Sequence, residues 1–139
     1  MRLVCRIGLL AALLSLSVPA LPEDDPVSEP TQRTDAPFRL FRTKNIYTFL
    51  KLDTRTGQVW QLQWCTDDNH RFIEPINLKA LADGKKAGRF TLYPSSNIFN
   101  FILLDQEDGM QWQVQWSIEP ENRLIVPIGQ GQEITPLRK

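Results

Sequence analysis

The sequence predicts an all-β protein: two tandem four-stranded repeats packed as one pseudo-twofold β-sandwich or barrel, joined by a short helical connector. Three observations lead there. Residues 38–76 and 90–128 align without a gap at an offset of 52, with 16 of 39 positions identical, which marks an internal duplication. Within each copy apolar and polar residues alternate at a period of two, the pattern of a strand with one buried face. Each copy also sets an aspartate four residues before a glycine, Asp53 to Gly57 and Asp105 to Gly109, which suits a tight hairpin end.

The elements follow in order. Phe38 and Leu40 alternate as a short first strand, closed by a Thr/Ser-x-Asn turn at Thr43–Asn45 and Ser95–Asn97. Ile46 to Leu52 is apolar on both faces, which predicts a central strand covered on two sides. Val59 to Trp64 alternates, so Trp60, Leu62 and Trp64 are assigned to the core and Gln61 and Gln63 to the outside. Ile73 to Ile76 makes a last strand, and Pro75 puts it at an edge. The connector, 77–89, opens with NLKALADG, whose Asn and closing Gly predict one or two helical turns. The tail, 129–139, is Gly-rich and is expected to add a strand or fray. A 39-residue copy cannot bury an adequate core alone. The two copies therefore share one, with Trp60, Trp64, Trp112 and Trp116 at the junction beside Phe49, Phe101, Leu52 and Leu104.

The chain upstream sets the compartment. Arg2 and Arg6 precede an apolar run from Ile7 to Val18, followed by Pro19 and Ala20. This is the pattern of a secretory signal peptide, 1–20, and the run is too short for a membrane anchor. The expectation is export to a periplasmic or extracellular space. Residues 21–37 hold four prolines and five acids, the composition of a disordered tether, and the folded domain is 38–139. Removing Arg2 and Arg6 from 16 basic residues leaves 14 against 16 acidic, a net charge of −2. That balance gives no electrostatic case for nucleic acid. Cys65 is then alone, so no internal disulfide forms.

Few residues carry chemistry. Trp60, Gln61 and Gln63, with Trp112, Gln113 and Gln115 in the second copy, would suit a sugar-stacking platform, although tryptophans on an alternating strand are more often core. Arg71 and Arg123 recur before each last strand. Either they pair with a carboxylate inside their own copy or they offer two anion contacts. His70 is the sole histidine, with no second ligand for a metal. Cys65, five residues before it, makes a Cys/His nucleophile conceivable. Asp67 and Asp68 lack the ligand spacing of a calcium loop. No cofactor and no metal is expected. The expected function is an exported, non-enzymatic binding module for a protein partner, an envelope component or a glycan. The alternatives are a small hydrolase using Cys65 and His70 or the Asp67/Asp68 carboxylates, and an assembly subunit, with a monomer or small homo-oligomer as the solution state.

The string LDTRTGQVW, Leu52 to Trp60, resembles the D-x-x-T-G motif of quinoprotein-type β-propeller blades, in which a tryptophan docks neighbouring blades. That motif carries one more residue before its tryptophan, and the second copy, DQEDGMQW, lacks the threonine. Two copies do not close a ring, so the resemblance implies no quinone cofactor. The double pattern L-D-x-x-x-G-x-x-W-Q-x-Q-W more closely resembles small bacterial exported proteins of no assigned activity. It spans most of the folded region and implies no known site.

Overall fold

Each copy folds into a four-stranded antiparallel meander. The first sheet is β1 (Phe38–Arg42), β2 (Thr48–Asp53), β3 (Val59–Gln63) and β4 (Phe72–Pro75), hydrogen-bonded in that order. The second is β5 (Phe90–Pro94), β6 (Asn100–Asp105), β7 (Gln111–Gln115) and β8 (Leu124–Pro127). These strands come from a computed structural model that describes residues 31–129. The expected signal peptide, the expected tether up to residue 30 and the tail beyond 129 lie outside the described residues. The protein is thus all-β, two stacked antiparallel sheets with, among the described residues, only single-turn 3-10 helices at Asp68–His70 and Pro120–Asn122, and the sheets do not close into a barrel.

The turn chemistry holds in both copies. Asn45 Oδ1 accepts the Tyr47 N–H and Asn97 Oδ1 accepts the Phe99 N–H, each at 2.9 Å. Gly57 and Gly109 close the β2–β3 and β6–β7 hairpins at φ +73° and +79°, the left-handed region in which a Cβ is strained. Pro75 and Pro127 sit on edge strands, where a missing N–H costs no ladder bond.

The packing departs from a pseudo-twofold. A twofold buries the same face of both sheets, because such an interface is isologous. Here the inner face of the first sheet is Phe41, Thr48, Leu50, Leu52, Val59 and Gln61, while the second turns Phe90, Leu92, Phe101, Leu103, Val114 and Trp116 inward. Subtracting 52 from the second set gives 38, 40, 49, 51, 62 and 64, the opposite face of the first sheet. The two sheets stack front to back. Equivalent residues lie over one another: Arg39 Nη1 donates to Thr91 Oγ1 at 3.4 Å and Lys44 Nζ to the Ser96 carbonyl at 3.2 Å.

Several expectations change with that parity. Trp112, Trp116, Phe101 and Leu52 belong to the shared core or pack against it, but Trp60, Trp64, Phe49 and Leu104 lie on outer faces. Gln61, expected outside, is fully buried. The strand β2 is central yet covered on one side only, since its Phe49 and Lys51 face away from the second sheet. The connector forms no helix. The Asn77 carboxamide accepts the Val59 N–H at 2.7 Å and Leu81 N–H donates to the Thr56 carbonyl at 2.7 Å, so its polar groups stitch the connector to the first repeat. Residues 31–37 are not a free tether either. Gln32 pairs both backbone groups of Leu40, at 2.6 and 2.9 Å, and Thr54 Oγ1 donates to the Ala36 carbonyl at 2.6 Å. A side-chain amide has the geometry of a peptide group, so Gln32 covers part of the open β1 edge.

Two predictions follow from the asymmetry. Trp116 is 1% exposed and Trp64, its equivalent, 44%. Trp116→Ala should destabilise the chain by about 3–5 kcal/mol, and Trp64→Ala by only about 1 kcal/mol, read from denaturant unfolding of the single chain. Equal losses would mean that the burial parity is misplaced. A Cβ on Gly57 meets Phe90 at 2.9 Å, whereas one on Gly109 meets nothing within 4 Å. Gly109→Ala therefore carries only the left-handed strain, about 1–2 kcal/mol, and Gly57→Ala adds about 1–3 kcal/mol of overpacking.

Candidate functional site

The outer face of the first sheet is left uncovered by the fold and carries several exposed apolar side chains. Pairing aligns Phe38 with Asp53, Lys51 with Trp60, Phe49 with Leu62, and Leu62 with Ile73, so these side chains share one face with Leu40 and Trp64. Phe38, Leu40, Trp64 and Ile73 are all exposed large hydrophobics. Cations lie over the rings. Lys51 Nζ sits 4.4 Å from the Trp60 ring and 5.4 Å from Phe38, and the Arg55 guanidinium 5.1 Å from Phe38. Such contacts hold a cation on an aromatic face while its stem covers apolar area. Trp64 is fixed by its indole N–H donating to the Ile46 carbonyl at 2.8 Å and by Tyr47, ring centroids 5.3 Å apart.

The opposite end of the stack is the outer face of the second sheet. It carries Tyr93, Ile102, Leu104, Gln113, Gln115 and Val126. Gln113 Nε2 donates to Asn100 Oδ1 at 2.8 Å. Between the sheets, Gln61 Oε1 accepts the Ser117 N–H at 3.2 Å. Its Nε2 has no partner, because Thr48 stands where the second repeat has Asn100.

The glutamines are thus structural anchors as well as surface groups. Gln63 Nε2 donates to the His70 carbonyl at 3.3 Å and Gln115 Nε2 to the Asn122 carbonyl at 2.9 Å, so each ties down the loop that follows its strand. The arginines do the same from the other side. Arg71 Nε donates to the Cys65 carbonyl at 2.7 Å and Arg123 Nε to the Ser117 carbonyl at 2.9 Å. Arg71 pairs with Asp68 inside its own copy. Arg123 does not follow that expectation: its carboxylate is Glu74 of the first repeat, because stacking lays the end of β8 over β4. Of the hydrolase candidates, His70 Nδ1 lies 3.2 Å from Asp67 Oδ2, and Asp67 Oδ1 caps the 3-10 turn through the Asn69 N–H at 3.0 Å. Among the described residues no hydrogen bond joins the Cys65 thiol to His70, so the structure does not bring the nucleophile pair together.

Sequence reasoning missed two ion pairs formed on buried aspartates. Asp53 is held by Arg55 through Nε at 3.0 Å and Nη2 at 2.9 Å. Glu107 stands at the position equivalent to Arg55, and there Arg89, just before β5, reaches Asp105 instead, its Nη2 at 2.7 Å from Oδ2. Burial works to raise the pKa of both carboxyls. The hydrogen bonds and charge of Arg55 or Arg89, with backbone N–H groups of the turn, outweigh it and hold both below the ordinary carboxylate range. The recurring aspartates were legible, but their arginines come from non-equivalent positions.

A cleft of about 630 Å³ opens between the sheets beside the N-terminal segment, lined by Arg39, Phe41, Thr91 and Gln106 among others. Comparison with family models, with curated proteins and with solved structures finds no match for this chain.

The paired aspartates set the acid limit of the fold. A carboxyl whose folded pKa lies below its unfolded value, about 3.9, contributes stability above that value and loses it as pH falls through the folded pKa. Stability should be flat from neutrality to about pH 5 and then fall. Asp105→Asn should lower stability at pH 7 and flatten the acid limb. Unfolding curves with the same acid slope in parent and variant would remove Asp105 from that role.

Proposed function

We propose that the chain is an exported, non-enzymatic binding module whose contact surface is the outer face of the first sheet. One observation carries this reading. Trp64 has the equivalent indole hydrogen bond and an aromatic neighbour at the equivalent position to that of Trp116, yet Trp116 is covered and Trp64 stands open on the face that also carries the exposed Phe38, Leu40 and Ile73. Contiguous exposed apolar side chains rimmed by charge are the mark of an interaction surface. Lys51 and Arg55 over the rings add a positive component, which favours an occupant with acceptor groups as well as apolar area. The n-region arginines and apolar run of residues 1–20 support export.

The test uses the protein expressed from its full reading frame as bait in extracts of its native compartment and against arrayed glycans. A partner of any kind, further copies of this chain included, should be retained by the parent and lost about tenfold or more by Leu40→Glu. Cys65→Ser and His70→Ala should leave retention unchanged. Retention indifferent to Leu40→Glu, or lost with Cys65→Ser, overturns the reading.

A further inference from the structure

The contact inside the chain already specifies a partner for its own free ends. The inner face of the first sheet mates with the inner face of the second, and these are opposite faces of the repeat. The faces left over are therefore the two halves of the same kind of contact, one at each end of the stack. The outer face of the first sheet is equivalent to the one that the second sheet buries. The outer face of the second is equivalent to the one that the first sheet buries. From this we propose that the chain associates head to tail with further copies of itself, the outer face of one copy's first sheet seating on the outer face of the next copy's second sheet. The proposal rests on the binding-surface reading above and names its partner.

Residue identities between the repeats support it. Along the four strands and the tryptophan after the third, the outer face of the first sheet has 11 positions, and eight match their equivalents on the inner face of the second: Phe38, Leu40, Phe49, Asp53, Trp60, Trp64, Ile73 and Pro75. On the other face three of 10 match, Leu52, Gln61 and Gln63. A solvated face has no physical need for the aromatic set of a buried one, whereas a face buried by another copy has the same need. The mating face keeps its character too, with Tyr93, Ile102 and Leu104 where the first repeat has Phe41, Leu50 and Leu52.

The polar contact repeats as well. Inside the chain Gln61 Oε1 accepts the Ser117 N–H; the equivalents are Gln113 and Cys65. Gln113 Nε2 is held by Asn100, which orients the amide with its oxygen as the remaining acceptor. Across copies, Gln113 Oε1 would accept the Cys65 N–H. Lys51 in place of Leu103 and Gln111 in place of Val59 make the contact between copies more polar than the contact within one, the character of a reversible interface. A heterologous contact repeats, closing a ring where the rotation allows and growing a filament otherwise. Rings of four-stranded sheets close at about four to eight sheets, which two to four copies supply.

Two exposed positions separate the faces, Leu40 on the first sheet and Tyr93 on the second. The protein expressed from its full reading frame is measured by sedimentation equilibrium up to about 100 μM, with circular dichroism and melting to verify that each variant folds. The parent should have the mass of two or more copies, and Leu40→Glu and Tyr93→Glu should each be single copies. Mixed, they should form a pair of limited mass, because each supplies the face that the other lacks. A monomeric parent overturns the proposal. So does an oligomer broken by Leu40→Glu alone, which would be an isologous dimer, or one indifferent to both. A monomeric parent that still captures another partner through Leu40 overturns self-association and leaves the binding surface standing.

Discussion

Strand side chains alternate, so every sheet has two faces, and a stack of two sheets must choose which faces meet. In this chain the choice is front to back, and the rest of the structure follows from it. It buries Leu50, Leu52 and Val59 from one repeat against Phe90, Leu103 and Trp116 from the other. It sends Gln61 into the interior and Trp60 and Trp64 out of it. It also lays equivalent residues over one another, so that Arg39 meets Thr91 and Arg123 reaches back to Glu74. A twofold would have left two like ends, whereas this arrangement leaves two unlike ones.

The duplication kept its backbone chemistry and varied what surrounds it. Both hairpins need an aspartate to accept turn N–H groups and a glycine with positive φ, and both keep them. Each aspartate is buried and needs a cation, but the cation is supplied from within the turn in one repeat and from ahead of the first strand in the other. The constraint is the neutralised carboxylate, not the identity of its partner. The same logic covers the loops after β3 and β7, where a glutamine and an arginine hold the chain from opposite sides in both copies.

Most of the fold was legible because period-two alternation, turn residues and an internal repeat are local signals. The strands, their order and the edge position of Pro75 come from those alone. Face choice is not local: both faces of β2 and β6 carry large apolar residues, so alternation names two candidate cores without ranking them. The deciding difference lies between the repeats. Lys51 replaces Leu103 on one face, and Gln111 replaces Val59 on the other, and each repeat turns inward the face that keeps the apolar residue. The connector misled for another reason. Asn77 is a good helix cap by residue type, but β3 claims its carboxamide first. The candidate site was legible as a set of tryptophans and glutamines, and illegible as to which of them face water.

The two outer faces are not interchangeable with ordinary surface. Lys51 shows how the exposed one accommodates water: a single charge enters at the middle of the face, and its stem and ammonium lie against Trp60 and Phe38 instead of displacing them. That arrangement keeps the ring set intact while lowering the apolar area that solvent meets. It also gives the face a different character from its buried equivalent, where Leu103 fills the same position. A chain stacked front to back cannot satisfy its last sheet internally until it has enough repeats to close a ring, because each repeat added before closure presents the same open face again. Only closure, capping or a partner removes that face from water. With two repeats, Trp64 at one end and Tyr93 at the other stay open to water unless something covers them.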